Sequence, residues 1–190
     1  LQLYLGWAHT ARRDFAAARD AFAAAAEAKN RVVPARYGQG LAQLELGDLE
    51  GARASFAAVN DASKKDHIGA MVGVAAAMPP EAYARREAEL LAILGRKDIG
   101  EADPRAVALA WRLAGDDARR AGRYDAARER YRKTLELAPD DVPAIVGDAE
   151  LDLAENHYET AETSLQRALQ LAPDDVAAAL AGADLALRRG

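Results

Sequence analysis

Residues 134–142 read TLELAPDDV and residues 168–176 read ALQLAPDDV, so nearly the same phrase occurs twice, 34 residues apart. Pro139 disfavours the α region for the residue before it, which ends a helix. Asp140 and Asp141 then offer side-chain acceptors and negative charge to the free N–H groups of a following helix. The phrase therefore predicts that one helix stops and the next begins, at equivalent points of two successive units.

The same interval relates other positions in both halves of the chain. The pairs are Gly6 and Gly40, Ala18 and Ala52, Phe22 and Phe56, Tyr124 and Tyr158, Ala127 and Ala161, and Pro139 and Pro173. Each unit holds two amphipathic helical stretches separated by a turn signal, such as LGD at 46–48. We expect turns near Gly47, Gly122 and Asn156, with the small residues of the repeat and Phe22, Phe56 and Tyr131 packed between helices.

The unit resembles the tetratricopeptide repeat (TPR), and the resemblance covers nearly the whole chain. Between residues 108 and 141 the family's pattern is met by Trp111, Gly115, Gly122, Tyr124, Ala127, Tyr131 and Pro139. Ala114, Ala118 and Thr134 depart from that pattern, and in the unit at 33–66 Lys64 stands where Pro is usual. The resemblance implies an all-α fold, a right-handed superhelical solenoid of antiparallel helix pairs with about five TPR units and a terminal helix.

We expect a single array over residues 1–190. It would comprise a partial repeat at 1–32, a repeat at 33–66, a degenerate repeat with an insertion at 67–107, repeats at 108–141 and 142–175, and the first helix of a truncated repeat at 176–190. Because the sequence begins without Met and ends within the pattern, we expect a fragment of a longer bacterial protein.

The 34-residue period is irregular in the degenerate repeat. Tyr83 and Tyr124 lie 41 residues apart, seven more than one period, and MPPE at 78–81 ends the first helix early. We expect a helix from Pro80 to about Arg96, followed by a loop around residues 95–104. The alternative is a true break between two sub-arrays, and the sequence does not decide whether the insertion at 95–107 interrupts the superhelix.

Composition excludes several classes of function. The net charge of −5 argues against nucleic-acid binding, which favours a basic surface. The chain has no cysteine, which excludes disulfides and thiolate metal sites. The uncharged run at 68–80 is 13 residues long, too short for direct membrane insertion as a helix. The sequence leaves the compartment open between bacterial periplasm and cytoplasm.

Motifs that would indicate catalysis, phosphate binding or metal binding are weak. GQGLAQ at 38–43 resembles a phosphate loop only loosely and lies inside a predicted helix, while His9, His67 and His157 fall in different units without shared ligand spacing. We therefore predict no enzyme activity, no cofactor and no metal. In RERYRK at 128–133, the repeat phase assigns Tyr131 to packing and leaves Arg128, Arg130, Arg132 and Lys133 on a solvated face.

The family resemblance implies that the first helix of each unit lines a concave groove where partners bind. The candidate groove residues are Trp7, Tyr37, Leu41, Leu44 and Met71 in the N-terminal half, and Arg112, Asp116, Arg119, Glu150 and Asp184 in the C-terminal half. The N-terminal half of this groove is apolar. In the C-terminal half the acids at 116, 150 and 184 recur one repeat apart.

Each half of the groove has an alternative interpretation. Asp116 with Arg120 and Asp184 with Arg188 are (i, i+4) pairs that can satisfy one another, whereas Glu150 has Ala154 at that spacing. Trp7 and Tyr37 can instead pack against residues upstream of the chain. Some members of the family clamp a terminal carboxylate with Lys and Asn on the first helices. Trp7, Leu41 and Ala75 occupy the matching positions here, so we predict no carboxylate clamp.

The sequence thus predicts a non-catalytic scaffold for protein–protein interaction. Its partner would be an extended or helical protein or peptide segment, with apolar anchors and a basic element. One alternative is the periplasmic TPR portion of a bacterial exopolysaccharide export protein, which such arrays resemble. Another is the regulatory arm of an enzyme whose catalytic domain lies outside this sequence.

Overall fold

The computed structural model describes residues 1–28, 32–63 and 66–190, and over those residues the chain is helical without strands. The all-α prediction is confirmed. Lys64, where the family pattern has Pro, lies outside the described residues. The chain divides into two compact units, an N-terminal unit of residues 1–102 and a C-terminal unit of residues 103–190.

Helices follow one another in sequence and pack on their neighbours within each unit. The helices of the N-terminal unit are α1 (Gln2–Ala11), α2 (Phe15–Ala26), α3 (Val32–Glu45), α4 (Leu49–Ala62), α5 (Ile68–Ala76) and α6 (Tyr83–Leu94). Those of the C-terminal unit are α7 (Pro104–Arg120), α8 (Tyr124–Leu137), α9 (Val142–Ala154), α10 (Tyr158–Leu171) and α11 (Val176–Arg189). No helix in the described part of the chain has the length and apolar character needed to cross a membrane.

Four helix pairs are closed by three-residue turns whose middle residue has a left-handed backbone. These residues are Gly47 and Gly122, both at φ 73°, Asn156 at φ 62° and Arg13 at φ 59°. Glycine adopts this conformation without penalty because it has no Cβ, whereas Arg13 carries a Cβ that meets the following carbonyl. The predicted turns at Gly47, Gly122 and Asn156 are confirmed.

The repeated phrase stops one helix and starts the next. Helix α8 ends at Leu137, and the Asp141 carboxylate accepts the Ala144 N–H at 2.9 Å to cap α9. One repeat later Asp175 caps α11 in the same way, at 2.8 Å from the Ala178 nitrogen. Asp140 does not cap a helix. Its carboxylate instead accepts a hydrogen bond from the Arg167 guanidinium at 3.3 Å, which ties this loop to α10.

The aromatic residue in the middle of α2, α4 and α8 is buried between neighbouring first helices. Phe22, Phe56 and Tyr131 are fully buried, so their assignment to packing is confirmed. Glycine permits this close approach, because a Cβ at Gly115 would lie 2.8 Å from the Tyr131 ring and one at Gly147 would lie 2.6 Å from it. Helices α7 and α9 therefore sandwich the ring directly against backbone.

The degenerate repeat has a short first helix and an early start to its second. A 3₁₀ turn at Pro80–Ala82 leads into α6, which ends at Leu94, so the helix predicted from Pro80 to about Arg96 is slightly too long. A second 3₁₀ turn, Ile99–Glu101, lies within the predicted loop. The buried Arg86, where the repeat has a small residue, donates to the Met78 carbonyl at 3.4 Å and so supports the end of the shortened α5.

Candidate binding surfaces on the first helices

The apolar candidates of the N-terminal unit are partly packed and partly accessible. The Trp7 ring meets Phe22 edge-on with centroids 4.9 Å apart, yet 40% of Trp7 is exposed. Tyr37 packs against Phe56 with ring centroids 5.8 Å apart and against His67 at 5.1 Å. These contacts lie within the chain, so they do not depend on upstream residues.

Leu41 and Leu44 are half-buried on α3, and both pack on the core cluster around Phe56. Met71, also half-buried, lies on α5 and lines a cleft of about 390 Å³ within the N-terminal unit. The cleft is lined by Asn60, Met71, Val74, Glu89, Ala92, Ile93 and Arg96. The apolar groove residues thus form a partly accessible surface on α1 and α3 and one wall of a cleft beside α5.

Asp116 is the most enclosed of the three acidic groove residues. It accepts the Tyr131 hydroxyl at 2.9 Å, and the Arg112 guanidinium lies 3.5 Å away. Burial raises the pKa of the Asp116 carboxyl, and the nearby Arg112 and the Tyr131 hydrogen bond only partly offset that effect. Arg120, the alternative partner of Asp116 at spacing (i, i+4), pairs with Asp117 at 3.7 Å.

Glu150 does have a partner, contrary to the sequence interpretation. Its carboxylate lies 2.8 Å from the Arg119 guanidinium, which reaches it from α7. Spacing (i, i+4) along one helix does not reveal this partner, because Arg119 belongs to the preceding first helix. The repeat phase does place Arg119 in the same groove, and that is the sequence signal for the pair. The pair of Asp184 with Arg188 is confirmed at 2.8 Å.

These groups join into one network of alternating charge in the C-terminal unit. Arg112 lies 3.5 Å from Asp141 and from Asp116, and Arg119 donates to the Tyr131 hydroxyl at 3.3 Å as well as pairing with Glu150. Burial, reinforced by the Asp116 charge, raises the pKa of Tyr131, so its hydroxyl stays protonated and donates to Asp116. The first-helix acids are therefore compensated by arginines rather than arranged as an open negative row.

The basic run at 128–133 is interhelical, and its assignment to a solvated face is wrong for three of its residues. Arg128 reaches across to α9 and the turn after it, with guanidinium nitrogens 3.0 Å from Asp148, 2.9 Å from Asp152 and 2.9 Å from Glu155. Arg130 donates to the Ala114 carbonyl at 2.7 Å. The Lys133 ammonium stands over the Trp111 ring, 4.3 Å from its centroid.

Asp152, Glu155 and His157 are the only described residues whose potential metal-ligand atoms converge, within 4.8 Å of one another. The Arg128 guanidinium pairs with two of the three, so a cation already compensates part of the acidic charge. The geometry therefore matches an ion-pair cluster that fixes α8 to α9.

Comparisons with known proteins agree with this architecture. Family models described as tetratricopeptide repeat match residues 3–67 and 118–190, which together make up more than two thirds of the chain. The chain belongs to the tetratricopeptide-repeat family. Among curated proteins, none matches the chain.

Several solved structures share the fold. The thermophilic TPR protein TTC0263 of Thermus thermophilus is 23% identical with a TM-score of 0.73, covering 98% of this chain and 97% of its own. Pseudomonas aeruginosa pilF is 15% identical with a TM-score of 0.69, covering 98% and 82%. YrrB, described as a TPR protein with an unusual peptide-binding site, is 16% identical with a TM-score of 0.53, covering 95% and 90%. At these identities the likeness concerns the fold alone.

Proposed function

We propose that this chain is a non-catalytic scaffold that binds a protein or peptide segment on its first-helix surfaces. TPR proteins generally mediate protein–protein interaction, and the solved neighbour YrrB is described as having a peptide-binding site. The observation that carries the proposal is the accessible apolar surface of Trp7, Tyr37, Leu41 and Leu44 on α1 and α3. Large apolar side chains left partly exposed at equivalent points of a repeat favour a binding surface.

The partner segment would carry apolar anchors and a basic element. The apolar anchors match the surface of the N-terminal unit. The basic element matches the acidic C-terminal unit, where residues 142–175 contain Arg167 as their only basic residue, disregarding histidine. Asp184 is the most exposed of the three groove acids, with 48% of its side chain accessible, and its ion pair with Arg188 is itself exposed. Because exposed ion pairs are weak, we propose that a cationic partner competes with Arg188 for Asp184.

The test is selection of peptides from a random displayed library against the full chain. Enriched peptides should combine large apolar residues with Lys or Arg, and their affinity should fall as salt concentration rises, because exposed charges are screened. Trp7→Ala should lower the affinity of the enriched peptides severalfold. The matched control is Tyr124→Ala, which removes a similarly exposed aromatic residue from the start of a second helix. Failure to enrich any peptide, or equal effects of the two variants, would refute the proposal.

The export and enzyme-arm alternatives remain hypotheses from the family resemblance. In the described residues, no contact or cluster favours either of them over a general scaffold. Both would still require a partner-binding surface, so peptide selection addresses the step that all three share.

A further inference from the structure

The cleft in the N-terminal unit lies where the chain departs from its own repeat. Helix α3 is 14 residues long, whereas α5, the first helix of the next unit, has nine. Helix α6 packs less extensively on α5 than α4 packs on α3. The space of about 390 Å³ opens between the end of α4, one side of α5 and the second half of α6. We attribute it to the degenerate repeat, and its lining includes neither Trp7 nor Leu41.

The walls of the cleft are apolar. Met71 and Val74 on α5 are half-buried, and Ala92 and Ile93 face them from α6. Methionine has a flexible and polarisable side chain that adapts to irregular apolar groups. The volume falls near the lower end of the range for ligand pockets, roughly 300–1,000 Å³. Such a space suits one large side chain rather than a helix or a large cofactor.

Two charged residues line the rim of the cleft, Glu89 and Arg96, and the charge of Arg96 is already compensated. The Arg96 guanidinium lies 2.9 Å from Asp66 and 2.9 Å from Asp98, so two carboxylates compensate one cation. Glu89 lines the cleft as well, and its ion pair is with Arg85, whose side chain is 78% exposed. An exposed pair of this kind is weak in water, so a competing cation can share Glu89. The rim thus favours a cationic group over an anionic one.

We propose that this cleft receives one large apolar side chain of a partner peptide, followed in that peptide by Lys or Arg, whose charge meets Glu89. The inference rests on the proposed function and names the anchor of the partner segment. Residues Met71, Val74 and Ile93 supply the apolar contact. The acidic rim supplies the preference for a basic neighbour.

The experiment uses the full ¹⁵N-labelled chain and three capped dipeptides followed by NMR: acetyl-Leu-Lys-amide, acetyl-Leu-Glu-amide and acetyl-Gly-Lys-amide. The Leu-Lys probe should shift the amide signals of residues lining the cleft. Leu-Glu should bind about threefold or more weakly because of the acidic rim, and Gly-Lys should not shift these signals. Absence of shifts at the cleft with Leu-Lys would overturn the proposal.

Two variants and a control sharpen the result. Ala92→Phe fills the cleft from an exposed position and should lower the affinity for the Leu-Lys probe at least tenfold. Ala88→Phe adds the same ring to an exposed site one turn earlier, outside the cleft lining, and should leave binding unchanged. Glu89→Gln should keep Leu binding but reduce the preference for Lys over Glu below twofold.

Selected library peptides separate the cleft from the proposed function. Peptides that lose affinity with Ala92→Phe support the cleft as their anchor site. Peptides that bind the Ala92→Phe variant normally but do not bind the Trp7→Ala variant would refute the cleft proposal and leave the scaffold proposal intact. If no peptide binds the unmodified chain, the scaffold proposal fails, and the cleft proposal fails with it as the account of a partner anchor.

Discussion

Replacing Tyr131 with Phe isolates the polar contribution of the network in the C-terminal unit. The Tyr131 hydroxyl donates to Asp116 at 2.9 Å and accepts from Arg119 at 3.3 Å, while the ring is fully buried. Phe22 and Phe56 occupy the corresponding place in the N-terminal unit without a hydroxyl. A phenyl ring therefore fits this position, and Tyr131→Phe should preserve the packing between helices.

The expected cost follows from the bond that is lost. A hydrogen bond to a charged group contributes about 1.5–3 kcal/mol, and the retained ring leaves no large cavity. Asp116 would then remain in an enclosed site with one donor fewer, and burial already raises the pKa of its carboxyl. We expect Tyr131→Phe to lower the free energy of unfolding by about 1.5–3 kcal/mol, compared with about 3–5 kcal/mol for truncation to Ala.

The assay is urea unfolding followed by tryptophan fluorescence and by circular dichroism. Trp7 and Trp111 are the two tryptophans and lie in different units, so a Trp7→Phe background leaves Trp111 to report on the C-terminal unit. Adding Asp116→Asn completes a double-mutant cycle with Tyr131→Phe. A loss below about 0.5 kcal/mol, or a coupling energy near zero between the two positions, would refute the reasoning.

Three further predictions concern a turn, a half-buried acid and the acidic groove positions. Arg13→Gly should stabilise the N-terminal unit by about 0.5–1 kcal/mol in urea unfolding, because glycine accepts φ 59° without a Cβ penalty; an unchanged midpoint would contradict this. Burial raises the pKa of Asp148 above its ordinary 3.8, so this group's stabilisation is present below 3.8 and lost as pH rises through the folded pKa. The stability of Asp148→Asn relative to the unmodified chain should therefore increase from about pH 3.5 towards about pH 7, and the opposite slope would disprove the assignment. Asp184→Asn should weaken a Lys-containing peptide with little loss of stability, whereas Asp116→Asn should change stability more than binding; the reverse ranking in anisotropy and urea titrations would exclude the proposed roles.

The fold could be predicted because its determinants are local and repeated. Pro139, Gly47 and Gly122 mark turns through backbone rules that need no knowledge of tertiary structure, and a 34-residue phase transfers each rule from one unit to the next. The conformation of Arg13 was not predicted, since arginine carries no signal for a left-handed backbone. Its place at the corresponding turn was nevertheless available from the period.

For the candidate site, the sequence predicts only which helix face the residues occupy. Repeat phase fixes the direction of a side chain but not which other side chains contact it. Glu150 looked unpaired along its own helix, but Arg119 meets it from the neighbouring first helix at 2.8 Å. Arg128 likewise looked solvated and instead binds three carboxylates of the next repeat. In a stacked repeat the partners of a surface charge can lie in the next repeat, so counting charges along one helix overestimates how exposed each charge is.

The cleft beside α5 shows a different limit of sequence reasoning. Regular repeats bury their first helices by similar contacts each time, so a unit that breaks the phase is a place to expect an open space. The seven extra residues and MPPE at 78–81 mark that break in the sequence, but they do not reveal whether it leaves a loop or a pocket. Whether a loop or a pocket results depends on the position of α6 and of its side chains Ala92 and Ile93. Packing between helices sets that position. The regular units of a repeat protein use their contacts for stacking on one another. We therefore expect a selective anchor site in the irregular unit.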